Sequence, residues 1–391
     1  MRVASRIDAA RLGIALPAAA CVRADVCVRA ALHRTGSNEA LCCATRRAEA
    51  TRDARTQVAP LTGALVWLLL RCGAALLLLG RHNTHTQAQR EDLCQLMFEV
   101  FSVRGLFVEA QATLALYACN KLTGVAVDCG HGTCDVAPVV DGVVQHAAAQ
   151  RLMYGGEDVT RRLGRDVAAE GDARLGGAEA FETHDEGGGP PLAPALAAAQ
   201  ELKELCARVA PTRAAYLAAM GAAPSAQAAA APGGQDGGQG VGTPETFSLP
   251  DGRSFTVGER TRLTAGEALF DPSLLGMASD LSLPQAVCQA VGACGAESRK
   301  ALWEAIVPCG GSTQAAGFVE RLRTECAELA PMSCPAGIVR HAEYMPAGSV
   351  RHASWLGGAI LAKIVFAQNH HMTKYEYDEV GPHAIHRKAG L

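Results

Sequence analysis

The chain is 391 residues long, enough for two or three domains with a sizeable buried core. Its 41 Gly and 18 Pro are near ordinary usage, which excludes a collagenous or wholly disordered chain. A net charge of −3 gives no electrostatic reason to expect nucleic acid as a direct partner, although the basic residues are lopsided at 30 Arg to 6 Lys.

The first 60 residues hold ten Arg and many Ala, with no sustained helical or strand period. The opening MRVASRIDAARLGIALPAAA has the look of a weak targeting segment, but Asp8 and Arg11 interrupt its apolar run. Leu61 to Gly80 is apolar and near the roughly 20 residues needed to cross a bilayer. Arg71 sits at its centre, at a cost of about 2.5–3.5 kcal/mol in lipid. A core strand or helix is therefore the favoured reading, with Ala75–Leu79 its strand-like end.

From Gln87 the pattern becomes locally consistent. AQREDLCQLMFEVF places Leu93, Leu96, Met97, Val100 and Phe101 on one face at helical spacing. Ser102 to Gly105 breaks that helix, and LFVEAQATLALYAC reads as a strand followed by a helix. GVAVD and VAPVV then read as the two strands of a hairpin, with a second turn at Asp141-Gly142. The tight turn between the strands, CGHGTCD, holds Gly130 and Gly132 and is headed by Asp128. Such a turn lets backbone N–H groups approach a phosphate, while a carboxylate at its head holds a metal ion's water shell. Further on, residues 183–200 read as a Gly/Pro loop turning into helix, and Gly221–Gly242 as a low-complexity surface loop. Fifteen cysteines, odd in number and irregular in spacing, give no zinc pattern. They read as small buried apolar residues of a reducing compartment.

The stretch AQREDLCQLMFEVFSVRGLFVEAQATLALYACNKLTGVAVDCGHGTCDVAPVVDG resembles actins and actin-related proteins. Further motifs follow in the family's order: RLMYGGEDVTRRL at 151–163, LKELC at 202–206, FSLPDGRSFTVGER at 247–260 and LFDPSLLGM at 269–277. After them come VPCGGSTQAAGFVERL at 307–322, SWLGGAILAKI at 354–364 and YEYDEVGPHAIHRK at 375–388. By these motifs the chain is identified as a member of the actin superfamily over roughly residues 76–391.

The resemblance implies an α/β, two-lobed ATPase fold shared with sugar kinases and chaperone ATPase domains. Residues 1–75 form an unmatched leader. Residues 76–118 and 352–391 make the remaining small lobe, and 119–351 the large lobe with an insertion near 221–242. ATP or ADP with Mg or Ca is expected in the interlobe cleft. Asp128 would hold the metal's water shell, Gln111 would orient the attacking water, and Asp135 completes the catalytic set. Gly130 and Gly132, with His131 between them, would line the phosphates. Gly156 and Asp158 match the ribose side, Lys203 and Glu204 the adenosine-side helix, and Gly310, Gly311, Ser312 and Arg351 the adenine loop.

The implied function is that of a cytoskeletal protein, at most a slow ATPase, coupling nucleotide state to filament or complex assembly. The alternative is a non-catalytic actin-related subunit of a larger cytoskeletal or chromatin-remodelling complex. Actin or actin-related subunits and actin-binding proteins are the expected partners, with no nucleic acid bound directly and no membrane. The cytoplasm and cytoskeleton are the expected location, with the nucleus as the alternative.

Several positions depart from the family's pattern. His131 replaces an Asp, Asp135 replaces a His, Glu157 stands where actins have Arg, and Arg351 where they have a nearby Lys. Gln314 and Ala315 stand where Met and Tyr usually meet the adenine. No first phosphate loop occurs in residues 1–85, so the first part of the small lobe is expected to be missing or replaced.

Overall fold

A computed structural model describes residues 66–71, 74–81, 87–170, 181, 193–221, 244–277, 280–339 and 348–388. The leader up to residue 65, with its targeting reading, and the low-complexity stretch after Gly221 lie outside the described residues. The fold is the expected mixed α/β actin type. It divides into two units, one reaching Leu114 and resuming at Ser354, the other running Ala115–Ala353.

In the first unit the apolar run that raised a membrane helix forms backbone strands instead. β1 (Val66–Arg71) pairs antiparallel with β2 (Ala74–Arg81), and β2 pairs parallel with β3 (Gly105–Ala110). The short strand Met372–Thr373 closes the sheet against the far edge of β3. Every residue of β3 is buried, which is why GLFVEA reads as a continuous run without alternation.

The amphipathic helix is present but shorter than its pattern suggests. It is α-helical over Gln87–Gln95 and becomes a π-turn over Leu96–Val100. The wider turn carries the following residue outward, so Phe101 is 62% exposed while Phe98 is buried. The buried face is Leu93, Cys94, Met97 and Phe98, and it packs with Leu106, Met372, Tyr377 and Ile385. Phe98 stacks on Tyr377 at 4.8 Å. Tyr377 lies on helix Lys374–Val380, which a capping box fixes: Thr373 Oγ1 accepts from the Glu376 N–H and Glu376 Oε2 from the Thr373 N–H.

In the second unit β4 (Gly124–Cys129) and β5 (Cys134–Val140) form the expected hairpin. β6 (Val143–Val144) and β7 (Gln150–Leu152) both pair antiparallel with β5. The link from β5 to β6 is a two-residue turn with both central residues left-handed, Asp141 at φ 51° and Gly142 at φ 82°. That is the geometry for which Asp-Gly is selected in hairpins. A separate two-stranded ribbon joins β8 (Glu245–Ser248) to β9 (Ser254–Val257). The strand β10 (Ile306–Cys309) adds to the main sheet parallel to β4, placing Cys309 beside Asp128. Helices Gly156–Ala169, Ala193–Cys206, Glu259–Glu267, Leu283–Gly292 and Phe318–Leu329 contribute buried residues to one apolar core. Seven of the ten described cysteines are buried and all ten are free thiols. Burial pushes Cys206 and Cys326 up to about 12, so these thiols stay protonated and packed.

Candidate functional site

The β4–β5 turn is the centre of the site. Asp128 and Asp135 are direct cross-strand partners, so their side chains leave the same face of the sheet. Arg151 on β7 approaches Asp135 at 3.3 Å and offsets one of the two charges. Between the strands the chain reverses at His131-Gly132, closed by the Gly130 N–H donating to the Thr133 carbonyl at 3.0 Å.

Residues far apart in sequence converge on this turn. The Gly130 carbonyl accepts from the Gly156 N–H at 3.0 Å and from Ser312 Oγ at 3.1 Å. The His131 carbonyl accepts from the Glu157 N–H at 2.6 Å, and Lys203 Nζ donates to the Gly156 carbonyl at 2.6 Å. The start of helix Gly156–Ala169 is therefore tied to the turn on one side and to Lys203 on the other. A Cβ on Gly155 would meet the His131 carbonyl at 2.7 Å and the Thr133 nitrogen at 2.8 Å, so only Gly allows this approach. Asp158 accepts the Gly155 N–H at 2.8 Å; its carboxylate caps its own helix.

The two oddities at His131 and Glu157 are one feature. His131 Nε2 lies 3.3 Å from Glu157 Oε2, and Arg161 Nη2 lies 2.6 Å from Glu157 Oε1. Bonding to His131, then to Arg161, holds the Glu157 carboxyl down at about 2. Where the family has an acid in the turn and a base on the helix, this chain has a base in the turn and an acid on the helix. His131→Asp alone is expected to set two carboxylates together and cost about 1–2 kcal/mol of stability at neutral pH. Glu157→Gln added to it should restore most of the loss, as read by urea unfolding of the two variants.

Beside the turn lies a cavity of about 330 Å³, entirely within this unit. Its walls include Val159, Lys203, Glu204, Leu269, Ser312 and Arg351, with Gly311, Gln314 and Ala315 along one side. Arg351 Nη2 pairs with Glu204 Oε2 at 3.2 Å. Gln314, where the family has Met, donates from Nε2 to the Gly348 carbonyl at 2.8 Å. Gly310 adopts φ 92° and packs so closely that a Cβ would lie 2.6 Å from Asp128 Oδ1. Gln111 is buried at the start of helix Gln111–Ala118 in the other unit, where its carbonyl accepts from Ser354 Oγ at 3.2 Å. The remaining marked residues, from Asp128 to Arg351, all belong to the second unit.

The residues fit a nucleotide with a divalent ion in two respects. Paired carboxylates offer hard oxygen donors of the kind Mg and Ca prefer. A Cβ on Gly132 would meet nothing within 4 Å, so the tip of the turn is open to a phosphate. Sequence reasoning missed Arg161 and the wall residues Ala265, Gly266 and Leu269. A signal existed for one of them, since an isolated Gly inside a helix marks close approach. A Cβ on Gly266 would sit 2.0 Å from the Arg208 carbonyl.

A family model described as Actin matches residues 66–175 and 193–390, opening at the first residue of β1, ahead of residue 76 where the motif resemblance starts. Actin-related protein 7 of Arabidopsis thaliana is 35% identical over 302 residues, covering 77% of this chain and 72% of that protein. The proteins of the same name from the indica and japonica subspecies of Oryza sativa are 35% identical over 305 residues, covering 77% of this chain and 73% of each.

Proposed function

The chain belongs to the actin family, and from that premise we propose that it is a nucleotide-binding actin-related subunit. The observation that carries this reading is the hydrogen-bonded convergence of the β4–β5 turn, Gly156, Lys203 and Ser312 beside a cavity of about 330 Å³. Gly130 to Gly132 would face the phosphates, Asp128 and Asp135 the divalent ion's water shell, and the wall formed by Gly311, Ser312 and Ala315 the base. The ion supplies charge neutralisation at the phosphates. With Asp135 in place of a His and Ala315 in place of a Tyr, turnover is slow at most, and the nucleotide acts chiefly as a ligand that sets assembly with actin-related or other partner subunits.

Lys203 gives this reading a pH signature. Burial pulls its ammonium down to about 8, well under the ordinary 10.5. Its charge, which favours a polyanion, is present below that value and lost as pH rises through it. ATP affinity measured by calorimetry in Mg is therefore expected to fall as pH passes about 8, and Lys203→Gln should flatten the profile. Absence of any ATP binding at millimolar concentration would overturn the nucleotide reading.

A second reading, a subunit without turnover held in a larger hetero-complex, is favoured by the wall assigned to the base, where Ala315 stands in place of a Tyr and Gln314, in place of a Met, donates to the Gly348 carbonyl. Stable co-purification with other subunits supports it. Filament formation by the isolated chain counts against it.

A further inference from the structure

We propose that Glu91, His383 and His386 form a binding site for one divalent transition-metal ion of the zinc type, separate from the nucleotide residues. Glu91 lies on helix Gln87–Gln95, His383 on the turn Pro382–Ala384 and His386 on helix Ile385–Lys388. The three-residue spacing of the histidines across this turn aims both rings at one carboxylate. His383 Nδ1 and His386 Nε2 each lie 2.8 Å from Glu91 Oε1. Their candidate ligand atoms all fall within 4.8 Å of one another.

The donor chemistry selects the ion. Two imidazole nitrogens and one carboxylate oxygen suit zinc, cobalt, nickel or copper, while Mg and Ca prefer oxygen alone. His383 is 74% exposed, so water has access to complete a tetrahedral set. On binding, the ring protons now shared with Glu91 move to the opposite ring nitrogens. For His386 that atom is Nδ1, which is buried with no protein partner. A ligating His without an acceptor behind it loses about 10–100-fold in affinity, so binding is expected to be weaker than at a site whose ligands are all backed by acceptors.

The ion would staple helix Gln87–Gln95 to the C-terminal turn, where Leu93, Cys94, Ala384 and Ile385 already share a core. Spacing along the chain could not show this site, because Glu91 stands 292 and 295 positions from the two histidines.

The test uses the untagged full-length protein in excess Mg, titrated with Co²⁺ by visible absorption and with Zn²⁺ by calorimetry. One ion per chain, with a rise of a few degrees in Tm on saturation, is expected. His383→Ala, at an exposed position, should leave the metal-free Tm unchanged and weaken binding at least tenfold; Glu91→Gln should weaken it similarly. No saturable binding would overturn the proposal. So would binding that His383→Ala leaves intact, which would place the ion elsewhere on the chain.

Discussion

Replacing Arg321 by Met is expected to destabilise the second unit by about 3–5 kcal/mol, the cost of leaving one partner of a buried ion pair alone. Arg321 and Glu267 are each 1% exposed. Their contact is bidentate, with Arg321 Nη2 at 2.6 Å from Glu267 Oε1 and Nη1 at 3.0 Å from Oε2. Arg321 Nη1 also donates to the Ala210 carbonyl at 3.1 Å, its Nε bonds Glu325, and its guanidinium lies 5.3 Å from the centre of the Phe270 ring. Met fills a similar volume but strands the Glu267 carboxylate in the core. Adding Glu267→Leu removes that stranded charge, so the double variant should recover most of the loss. Urea unfolding of the three proteins measures both effects. A single variant within about 0.5 kcal/mol of the parent would show that water reaches the pair.

Arg321 also shows what the sequence withheld. It stands three residues after Phe318 and just before Leu322, on the stripe that Cys326 continues, so its helix face was readable as buried. Its partner was not readable, because Glu267 ends a different helix 54 positions away. The same limit hid the link between His131 and Glu157. Motif comparison weighs positions one at a time, so His131 and Glu157 stand in the sequence as two unrelated departures from the family's pattern. In space they are a single exchange of charge sign across one contact.

Local signals, by contrast, were legible. The β4–β5 hairpin and the Asp141-Gly142 turn follow from strand runs and turn residues within about 20 positions, where pattern and backbone geometry agree. The π-turn at Leu96–Val100 was not, because a helical period assumes uniform winding and one wider turn displaces everything after it. The apolar run before residue 80 could be a strand or a helix by period alone, and pairing with β3 decides it.

Gly310→Ala is expected to weaken nucleotide binding sharply while leaving much of the sheet folded. Gly310 follows β10 and adopts φ 92°, a left-handed conformation that costs other residues about 1–3 kcal/mol. An added Cβ would also lie 2.4 Å from the Cys129 carbonyl and 2.6 Å from Asp128 Oδ1. Neither can yield easily, since Cys129 is buried in β4 and Asp128 heads the turn. The segment Gly310–Gln314 must therefore shift outward. That segment carries Ser312, whose hydroxyl ties it to Gly130, and Thr313, whose Oγ1 donates to the Gly310 carbonyl at 2.8 Å. Its outer residues form the cavity wall assigned to the base. Loss of that wall should lower ATP affinity by about 100-fold, equivalent to about 2.7 kcal/mol. Gly311→Ala is the matched control, because its Cβ would meet only Arg351 Nε, at 3.9 Å, and should change affinity less than about tenfold, or 1.4 kcal/mol. Equal affinities for Gly310→Ala and the parent would separate this loop from nucleotide recognition, leaving the β4–β5 turn and Lys203 to account for any binding that remains.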